Sequence, residues 1–372
     1  MTAGRSAIPG SDAGLRVLAL VTDAFGGHGG IAQYNRDLLQ ALAGTAASSR
    51  VLVLPSVAPV AAVEPPAGVE QRAAPASRAT YAVAAAVHAL RDGPFDVVFC
   101  GHLHLAPIAW AAARCARARL WLQLHGIEAW ERPRLLRRQC AERADFVTAV
   151  SRHTRRRFLA WSRIDPHRVR VLPNTVDPAF APGPKPRTLV DKLGLDGQKI
   201  LLTVGRLASG ERYKGHDRVI ESLSALKERH PGLVYLVAGD GPDRERLQQL
   251  VRNHGVSNMV RFLGRVAEED LPYLFRLADA YVMPSSGEGF GIVFLEALAT
   301  GLPVIAGDAD GSRDPLADGE LGLLVSRDDQ SGLLDAIRRA LSAQAPPPGG
   351  AGRFARTNFA SHVSRLVPAM LS

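Results

Sequence analysis

The feature that most constrains the fold is an alternation of short apolar runs with amphipathic segments, repeated in both halves of the chain. Short runs rich in Val, Leu and Ile are typical of buried strands. They occupy residues 16–22, 50–55, 95–100, 119–124, 145–150 and 169–172, and then 199–204, 233–238, 259–263, 280–283, 303–306 and 322–325. Strands that alternate with helices form parallel sheets covered on both faces. The pattern therefore predicts two doubly wound α/β domains.

The amphipathic segments predict the helices that cover these sheets. They are residues 31–42, 81–90, 105–116, 217–228, 243–253, 269–277, 292–300 and 331–341. The stretch 174–188 holds four prolines and shows no periodicity, which is typical of a linker, and 343–352 is a second break. We therefore place one domain at 1–180, a second at 181–352 and a C-terminal helix at 353–372. Residues 1–14 are expected to form a tail.

The charge of the chain favours anionic partners. Its 372 residues include 45 Lys and Arg against 36 Asp and Glu, a net charge of +9. Phosphorylated small molecules, acidic membrane surfaces and nucleic acid are all candidates. Arginines cluster at 131–143 and 151–158, and the apolar residues among or beside them are Leu135, Leu136, Phe158, Leu159 and Trp161. We interpret these segments as a surface for an anionic membrane. Nucleic acid is not expected, because the arginines lie on helix-like segments rather than between base-stacking aromatic side chains.

Cysteine content and hydropathy indicate a cytoplasmic protein, either free or peripheral on the inner face of the plasma membrane. Cys100, Cys115 and Cys140 form no CxxC pair, which argues against a disulfide framework or a thiolate zinc site. The run at 16–22 is short for a signal peptide. No apolar run approaches the ~18 residues needed to span a bilayer.

Loops after strands are the candidate ligand sites, since parallel sheets bind ligands beyond the carboxyl ends of their strands. The glycine-rich stretch 26–35 opens a helix and suits a phosphate, although a plain tight turn explains it as well. His125 follows a strand, where a structural histidine bonded to backbone is the alternative. Arg206 and Lys214 bound a third loop, where two cations can clamp a diphosphate. Solvated surface charge is the alternative for either cation.

The stretch "SSGEGFGIVFLEALATG" (285–301) is the most informative loop and helix. Gly289 and Gly291 let the amides at a helix start receive a phosphate. Glu288 would lie near whatever that phosphate carries, and Glu296 on the helix face that could meet the hydroxyls of a ribose. Two surface glutamates are the alternative. The nearby Asp308-x-Asp310 pair could hold Mg²⁺ with a diphosphate, but we interpret it as a turn.

In order and spacing these motifs resemble the retaining glycosyltransferases of family GT4, over nearly the whole chain. The strongest match is the E-x7-E element, here "EGFGIVFLE" from Glu288 to Glu296. The supporting matches are "VGRL…YKGHD" (204–217), "LVAGDGP" (236–242), "VRFLGRV" (260–266), "AVS" (149–151) and "PNTVD" (173–177). The resemblance implies a GT-B architecture, in which two Rossmann-like domains face a central cleft. It also implies that the first domain binds the acceptor, that the second binds the donor, and that the last helix returns to the first.

The resemblance also implies two sets of site residues. The catalytic set is His125, Arg206, Lys214 and Glu288. The donor-binding set is Gly30, Gly205, Arg265, Val266, Gly289, Phe290, Gly291, Ile292 and Glu296. No metal ligand is among them.

Their implied roles divide the donor into parts. Arg206, Lys214 and the amides at 290–292 would hold the diphosphate, and Gly30 would let the first loop approach it. Glu296 would bind the ribose, and the backbone at 265–266 would read the base. Glu288 would contact the sugar hydroxyls, with His125 near the C6 side of the sugar.

The implied reaction is hexosyl transfer with retention, without a covalent intermediate, a cofactor or a required metal. The donor would be a nucleoside-diphosphate sugar, GDP-mannose in preference to a UDP-hexose, and the acceptor a glycan or a polyprenyl-diphosphate-linked oligosaccharide. The family often has a "GGxxE" loop, whereas residues 307–316 here read "GDADGSRDPL", with Asp314 as the nearest carboxylate. A sugar-nucleotide epimerase or hydrolase of the same fold is the alternative, and a basic nucleic-acid-binding protein the remaining one.

Overall fold

The computed structural model describes residues 14–46, 48–58, 63–342 and 350–371, which form two compact units. Unit 1 is the chain up to Asn174 and again from Arg356 onward, and unit 2 is Thr175–Ala355. These boundaries lie a few residues from the predicted ones at 180/181 and 352/353. Of the expected tail and the expected break, residues 1–13 and 343–349 lie outside the described residues.

Unit 1 contains a seven-stranded parallel sheet. Its strands are β1 (Arg16–Val21), β2 (Arg50–Pro55), β3 (Val69–Gln71), β4 (Val97–Cys100), β5 (Arg119–Leu124), β6 (Phe146–Ala149) and β7 (Val169–Val171). The spatial order is β3-β2-β1-β4-β5-β6-β7, so the direction of winding reverses between β1 and β4. Most of β1 and all of β4 are buried, as expected for a sheet covered on both faces.

Five helices of unit 1 follow its strands. They are α1 (Gly30–Ala43), α2 (Arg78–Arg91), α3 (Ala106–Ala116), α4 (Leu135–Glu142) and α5 (Arg152–Leu159). Ala109 and Ala112 of α3 are fully buried in the core, where small side chains let the helix approach the sheet closely. Phe158 of α5 is also fully buried, and Leu159 and Trp161 pack against the same core. The prediction that Phe158 belongs to an exposed basic surface is therefore wrong, because its ring is buried in the core, whereas Leu159 and Trp161 are half-buried and place only part of their apolar area there.

Unit 2 contains a six-stranded parallel sheet. Its strands are β8 (Lys199–Val204), β9 (Leu233–Ala238), β10 (Val260–Gly264), β11 (Ala280–Met283), β12 (Val304–Gly307) and β13 (Leu323–Val325). The order is β10-β9-β8-β11-β12-β13, and the winding reverses between β8 and β11. Their register pairs Leu201 with Ala280 and Leu202 with Tyr281. The loops that leave the carboxyl ends of β8 and β11 therefore lie side by side.

Six helices cover the sheet of unit 2, and a last helix belongs to unit 1. The six are α6 (Arg187–Leu193), α7 (His216–Leu226), α8 (Arg244–Asn253), α9 (Leu271–Leu277), α10 (Ile292–Ala299) and α11 (Gln330–Ser342). The last is α12 (Arg356–Leu371). It packs against α1, where Arg356 Nε lies 3.2 Å from Asp37 Oδ1 and the Phe359 ring meets the edge of Tyr34.

The predicted fold class is confirmed, since each of the twelve apolar runs forms a strand and each of the eight amphipathic segments forms a helix. The sequence did not reveal β3, a three-residue edge strand that is only partly buried. Within the part of the chain that the structure describes, none of the helices combines the length and the apolar character needed to cross a bilayer.

Candidate functional site

The loops after β8 and β11 bring together two charged residues that are 74 positions apart in the chain. Lys214 ends the first loop and Glu288 lies in the second. Lys214 Nζ is 2.6 Å from Glu288 Oε1, and both side chains are largely buried. Charge pairs of this kind are stronger than exposed ones when the geometry is good, because little water screens them. The reversal point of the sheet thus carries a buried ion pair.

Arg206 extends this pair into a row of alternating charges. It forms an ion pair with Glu211, whose other carboxylate oxygen lies 3.7 Å from Lys214 Nζ. The order of charges is Arg206, Glu211, Lys214, Glu288. The Arg206 side chain is 80% exposed and so remains accessible to a ligand. Glu211 was not predicted, and its only signal in the sequence is its position between two predicted cations.

The charged neighbours of Lys214 decide its protonation. Burial by itself would lower the pKa of the Lys214 ammonium. The negative charge of Glu288, the hydrogen bond to it and the charge of Glu211 outweigh burial, so the pKa is raised overall. Lys214 therefore stays positively charged at neutral pH.

The start of α10 offers backbone amides beside this row. Gly291 immediately precedes the helix with φ of 83° and ψ of 76°, the left-handed region that glycine adopts without strain. Among the described residues, no side chain caps this end with a hydrogen bond. The uncapped amides at a helix start carry partial positive charge and suit an anion. Phe290 is buried and contacts the Phe354 ring, which anchors the loop to unit 2.

Glu296, one turn into α10, is a buried carboxyl. Glu296 is only 4% exposed, and no hydrogen-bond donor among the described residues reaches its Oε2 atom. Burial, followed by the charges of Glu268 and Asp177, raises its pKa to about 8. A buried polar atom without a partner is costly, and such atoms are commonly satisfied by a ligand or water. Glu296 is therefore a candidate ligand contact.

Three further predicted residues lie at the same edge of the unit 2 sheet. Gly205 directly follows β8 and donates its N–H to Ala238 O at 2.9 Å. Arg265 and Val266 follow β10, and Arg265 is exposed. Glu268, two residues further on, is close enough to Glu296 to affect its pKa. The stretch at 265–268 and α10 are thus neighbours.

His125 lies beyond β5 in unit 1, and the structure fixes its orientation. Its Nε2 is 2.9 Å from the Gly101 carbonyl, and its backbone N–H donates to Glu128 Oε1 at 2.6 Å. Burial lowers the pKa of His125 to about 4, so the ring is neutral at neutral pH. Since Nε2 donates to a carbonyl, Nδ1 is the bare acceptor nitrogen. The backbone bond is the one expected of a structural histidine, and it leaves one nitrogen for a ligand.

Tyr34 links His125 to the glycine-rich stretch in unit 1. Gly30 is the first residue of α1, and Tyr34 lies one turn further along. The fully buried Tyr34 ring meets the His125 ring edge-on at 5.2 Å, and its hydroxyl donates to Gln123 Oε1 at 2.9 Å. Tyr34 was not predicted as a site residue, because an apolar helix face explains an aromatic residue at that position equally well.

Asp310, one of the two aspartates interpreted as a turn, is buried in the interior of unit 2. It is 1% exposed, and its Oδ1 accepts a hydrogen bond from Ser312 N at 2.9 Å, which caps a short 3-10 turn. Asp308 is half-buried, two residues away. Within the described ranges, no group of three or more His, Cys, Asp or Glu side chains is arranged to hold a metal ion.

Two family descriptions match the chain. "Glycosyl transferases group 1" matches residues 187–349, and "Glycosyltransferase Family 4" matches residues 28–180. The first range lies within unit 2 and covers β8 to α11. It includes every predicted site residue from Gly205 to Glu296. The second covers Gly30 and His125.

Relatives and solved structures agree with these matches. The GDP-mannose-dependent alpha-(1-6)-phosphatidylinositol monomannoside mannosyltransferase of Mycolicibacterium smegmatis is 34% identical over 265 residues, which cover 67% of this chain and 68% of that protein. Anabaena Alr3699/HepE in complex with UDP and glucose superposes with a TM-score of 0.77 at 20% identity, over 95% of this chain and 100% of that one. Sucrose-phosphate synthase from Thermosynechococcus elongatus gives 0.75 at 22% identity, over 95% and 99%. At these identities the structural likenesses show a shared fold.

Proposed function

The chain belongs to glycosyltransferase family 4 and has the GT-B fold, and we propose that it transfers a hexose, with retention, from a nucleoside-diphosphate sugar to a glycan or lipid-linked oligosaccharide. GDP-mannose is the donor proposed first, because a relative of 34% identity is named as GDP-mannose-dependent. A UDP-hexose is the second candidate, because a protein of the same fold has been crystallised with UDP and glucose.

The observation that carries this proposal is the buried Lys214–Glu288 ion pair at the reversal point of the unit 2 sheet. A cation and a carboxylate held together there can contact the two ends of the bond that breaks. Lys214 would bind the diphosphate, and Glu288 would accept hydrogen bonds from hydroxyls of the sugar. The uncapped start of α10 would take a further phosphate oxygen, and Glu296 would bind the ribose.

In the proposed reaction an acceptor hydroxyl attacks the anomeric carbon from the face that the diphosphate leaves. The bond from the anomeric carbon to the phosphate oxygen breaks, the bond to the acceptor oxygen forms, and the acceptor proton passes to the departing phosphate. Arg206, Lys214 and the start of α10 would stabilise the negative charge on the leaving group, without a metal ion. His125 would accept a hydrogen bond from the sugar through Nδ1. The protein thus acts by positioning and by charge stabilisation.

The first test is a binding screen of nucleoside diphosphates and their sugars by thermal shift. A specific donor raises the melting temperature, because it binds only the folded state. We expect one base to be preferred, and Glu296→Ala to weaken that preference. Failure of all the common nucleotide sugars to bind would contradict the proposal.

The second test separates transfer from hydrolysis or epimerisation. The preferred donor is incubated with and without a panel of glycan and lipid-linked acceptors, in the presence of EDTA. We expect a glycosylated acceptor, formation of nucleoside diphosphate that depends on the acceptor, and no loss of activity with EDTA. Product formed equally well without an acceptor would favour the hydrolase or epimerase, and full dependence on Mg²⁺ or Mn²⁺ would contradict the metal-independent mechanism.

We also propose that unit 1 docks on an anionic membrane, where a lipid-linked acceptor would be found. The support is α4, whose first residues Leu135 and Leu136 are 61% and 65% exposed among arginines of the basic segment 131–143. Exposed leucines beside cations are typical of shallow insertion at an anionic surface. The name of the Mycolicibacterium smegmatis relative includes phosphatidylinositol monomannoside, which is a lipid.

A further inference from the structure

We propose that Asp310 is a positioning residue for this reaction: its buried carboxylate fixes the peptide of Glu288 and so holds the Glu288 side chain on Lys214. The proposal rests on the role proposed above for Glu288. It assigns a task to Asp310 of the Asp308-x-Asp310 motif, which has no role in the reaction proposed above.

The hydrogen bonds of Asp310 converge on the loop that carries Glu288. Asp310 Oδ2 accepts from Glu288 N at 2.6 Å and from Ser285 Oγ at 2.9 Å. The next residue, Gly311, donates its N–H to Glu288 O at 2.9 Å. Both backbone polar groups of Glu288 are therefore held by residues 310 and 311. The peptide on either side of Glu288 cannot rotate without breaking one of these bonds.

The contact between the two loops is close enough to exclude side chains. A Cβ atom on Gly311 would lie 2.0 Å from Gly289 O and 2.8 Å from Glu288 O. The loop after β12 therefore packs with its bare backbone on the loop after β11. Asp310 is the residue whose side chain reaches across this contact with hydrogen bonds, while Ser312 N donates to its other oxygen.

The chemistry of Asp310 is unusual for a turn residue. In the part of the chain that the structure describes, it makes no ion pair, and its three hydrogen bonds come from two backbone N–H groups and one hydroxyl. Burial raises its pKa, although these bonds act in the opposite direction. An uncompensated buried carboxylate is costly to the fold. The Asp310 carboxylate is therefore held in the interior of unit 2 by these three hydrogen bonds and by no cation among the described residues.

The route from Asp310 to the reaction passes through the Lys214–Glu288 pair. With its peptide fixed, Glu288 places Oε1 2.6 Å from Lys214 Nζ. Loss of the Asp310 carboxylate would remove the bond to Glu288 N and leave only the Gly311 bond to Glu288 O. The Glu288 side chain could then shift, and a shift of about 1 Å at a catalytic group can lower the rate of reaction about 100-fold. Contacts made by Arg206, by Glu296 and by the helix start would remain, so nucleoside diphosphate binding would change little.

The test compares five variants of the full-length protein. They are Asp310→Ala, Asp310→Asn, Glu288→Gln, the double variant Asp310→Ala/Glu288→Gln, and the control Asp308→Ala. Measurements are kcat and KM for the preferred donor, affinity for its nucleoside diphosphate by calorimetry, and melting temperature. Asp308 is the matched control, because it is an aspartate of the same motif without a bond to Glu288 in the described structure.

We expect Asp310→Ala to lower kcat by about 10- to 100-fold while the Kd for nucleoside diphosphate changes less than about threefold. Asp310→Asn should fall between it and wild type, since an amide oxygen can still accept one of the bonds. The double variant should be no slower than Glu288→Gln alone, because residues that act as one unit are not additive. Asp308→Ala should stay within about twofold of wild type.

Three results would overturn the inference on Asp310 alone, in a protein where Glu288→Gln lowers kcat strongly but leaves a measurable rate. They are near-wild-type kcat for Asp310→Ala, multiplicative losses in the double variant, and parallel loss of diphosphate binding in Asp310→Asn, which would indicate a general structural role. Near-wild-type transfer by Glu288→Gln would instead remove the proposed function of that carboxylate, and the role of Asp310 with it. If Asp310→Ala does not fold, Asp310→Asn decides by the same comparison of kcat with Kd.

Discussion

Glu296 shows how a fold can prepare a ligand contact at the scale of one residue. Its carboxyl is buried on α10 with an oxygen that no described group satisfies, and its pKa is raised to about 8. At neutral pH it is therefore protonated, and a protonated carboxyl both donates and accepts hydrogen bonds. The two hydroxyls of a ribose can use both capacities. Burial of this group without a partner for Oε2 lowers the stability of the unliganded protein, and a bound ligand would remove that penalty.

That cost gives the first prediction, a dependence of stability on pH. The pKa of Glu296 is raised from 4.5 to about 8 on folding, so between these values the folded state holds a proton that the unfolded chain has lost. The contribution of Glu296 to stability is fully present below the unfolded pKa and is lost as pH rises through this window. Glu296→Gln removes the effect. Its free energy of unfolding, relative to wild type, should rise with pH by up to about 1.4 kcal/mol per unit.

Urea denaturation of both proteins at about pH 5 and about pH 8 measures this difference. The free energy of unfolding of Glu296→Gln, relative to that of the wild type, should be higher at about pH 8 than at about pH 5, by on the order of a few kcal/mol. If the difference in free energy of unfolding is the same at both pH values, Glu296 is ionised in the folded protein. The assignment of a neutral buried carboxyl would then be wrong.

The second prediction concerns Arg206, whose guanidinium is exposed and paired only with Glu211 in the described structure. Arg206→Ala should lower kcat/KM by a factor that corresponds to a loss of about 2–4 kcal/mol of transition-state stabilisation. The reason is that a cation aimed at the leaving diphosphate would be lost. Arg212→Ala is the matched control. Arg212 lies on the same loop but pairs with Asp243 rather than with Glu211 or Glu288. Steady-state kinetics with the preferred donor should separate the two, and equal effects would place the clamp elsewhere.

Single residues also show what the sequence could and could not predict. Lys214 and Glu288 were both predicted, but their ion pair was not, because it depends on β8 and β11 being neighbours, and the strand order is not written in any local pattern. Asp310 was interpreted as a turn former. The structure places it in a turn, and its second oxygen additionally holds Glu288, a contact between residues 22 positions apart.

At the scale of elements, prediction succeeded where burial alone sets the pattern. The strands of parallel sheets are buried on both faces, and β9 and β11 are continuously buried, so each appears as an uninterrupted apolar run. β3 has the opposite character, since it is a short edge strand with Glu70 exposed. Its pairing with β2 comes from backbone bonds, which leave no trace in the sequence.

The third prediction belongs to the start of α10. A Cβ on Gly291 would lie 2.4 Å from the buried ring of Phe294, and φ at Gly291 is positive. Gly291→Ala should therefore lower the free energy of unfolding by about 1–2 kcal/mol from the backbone and by a further ~1–3 kcal/mol from displacement of the ring. It should also weaken binding of the nucleoside diphosphate. Phe294 is part of the first turn of α10, so displacement of its ring would shift the backbone amides at the helix start.

Gly255→Ala is the control for this prediction. Gly255 also has positive φ, but a Cβ there would have nothing within 4 Å among the described residues. It should lower stability by only about 1–2 kcal/mol and leave diphosphate binding unchanged. Urea denaturation and calorimetry compare the two variants. Equal losses of stability would mean that Phe294 adjusts without cost.

At the scale of the whole molecule, the fold tolerates great change in sequence. The structure shares its fold with Alr3699/HepE over 95% of this chain at 20% identity. Such divergence is possible because apolar periodicity, rather than particular residues, determines the layers of each unit. The surface is under no such constraint, and this chain carries a net charge of +9 with arginines clustered in two segments of unit 1, 131–143 and 151–158. The distribution of charge is therefore a property of this chain more than of its fold.

The last prediction tests that surface. Basic residues near an anionic bilayer contribute about 1 kcal/mol each, and exposed leucines add shallow insertion. Full-length protein should therefore sediment with anionic vesicles, should not sediment with neutral ones, and should be released as salt shortens the Debye length. Leu135→Ser/Leu136→Ser should weaken this binding, whereas Tyr273→Ser, which removes an exposed apolar side chain of unit 2, should leave it unchanged. Phe158 is excluded from the variants, since it is buried in the core. Equal failure to bind both vesicle types at low salt would contradict docking and favour an acceptor free in solution.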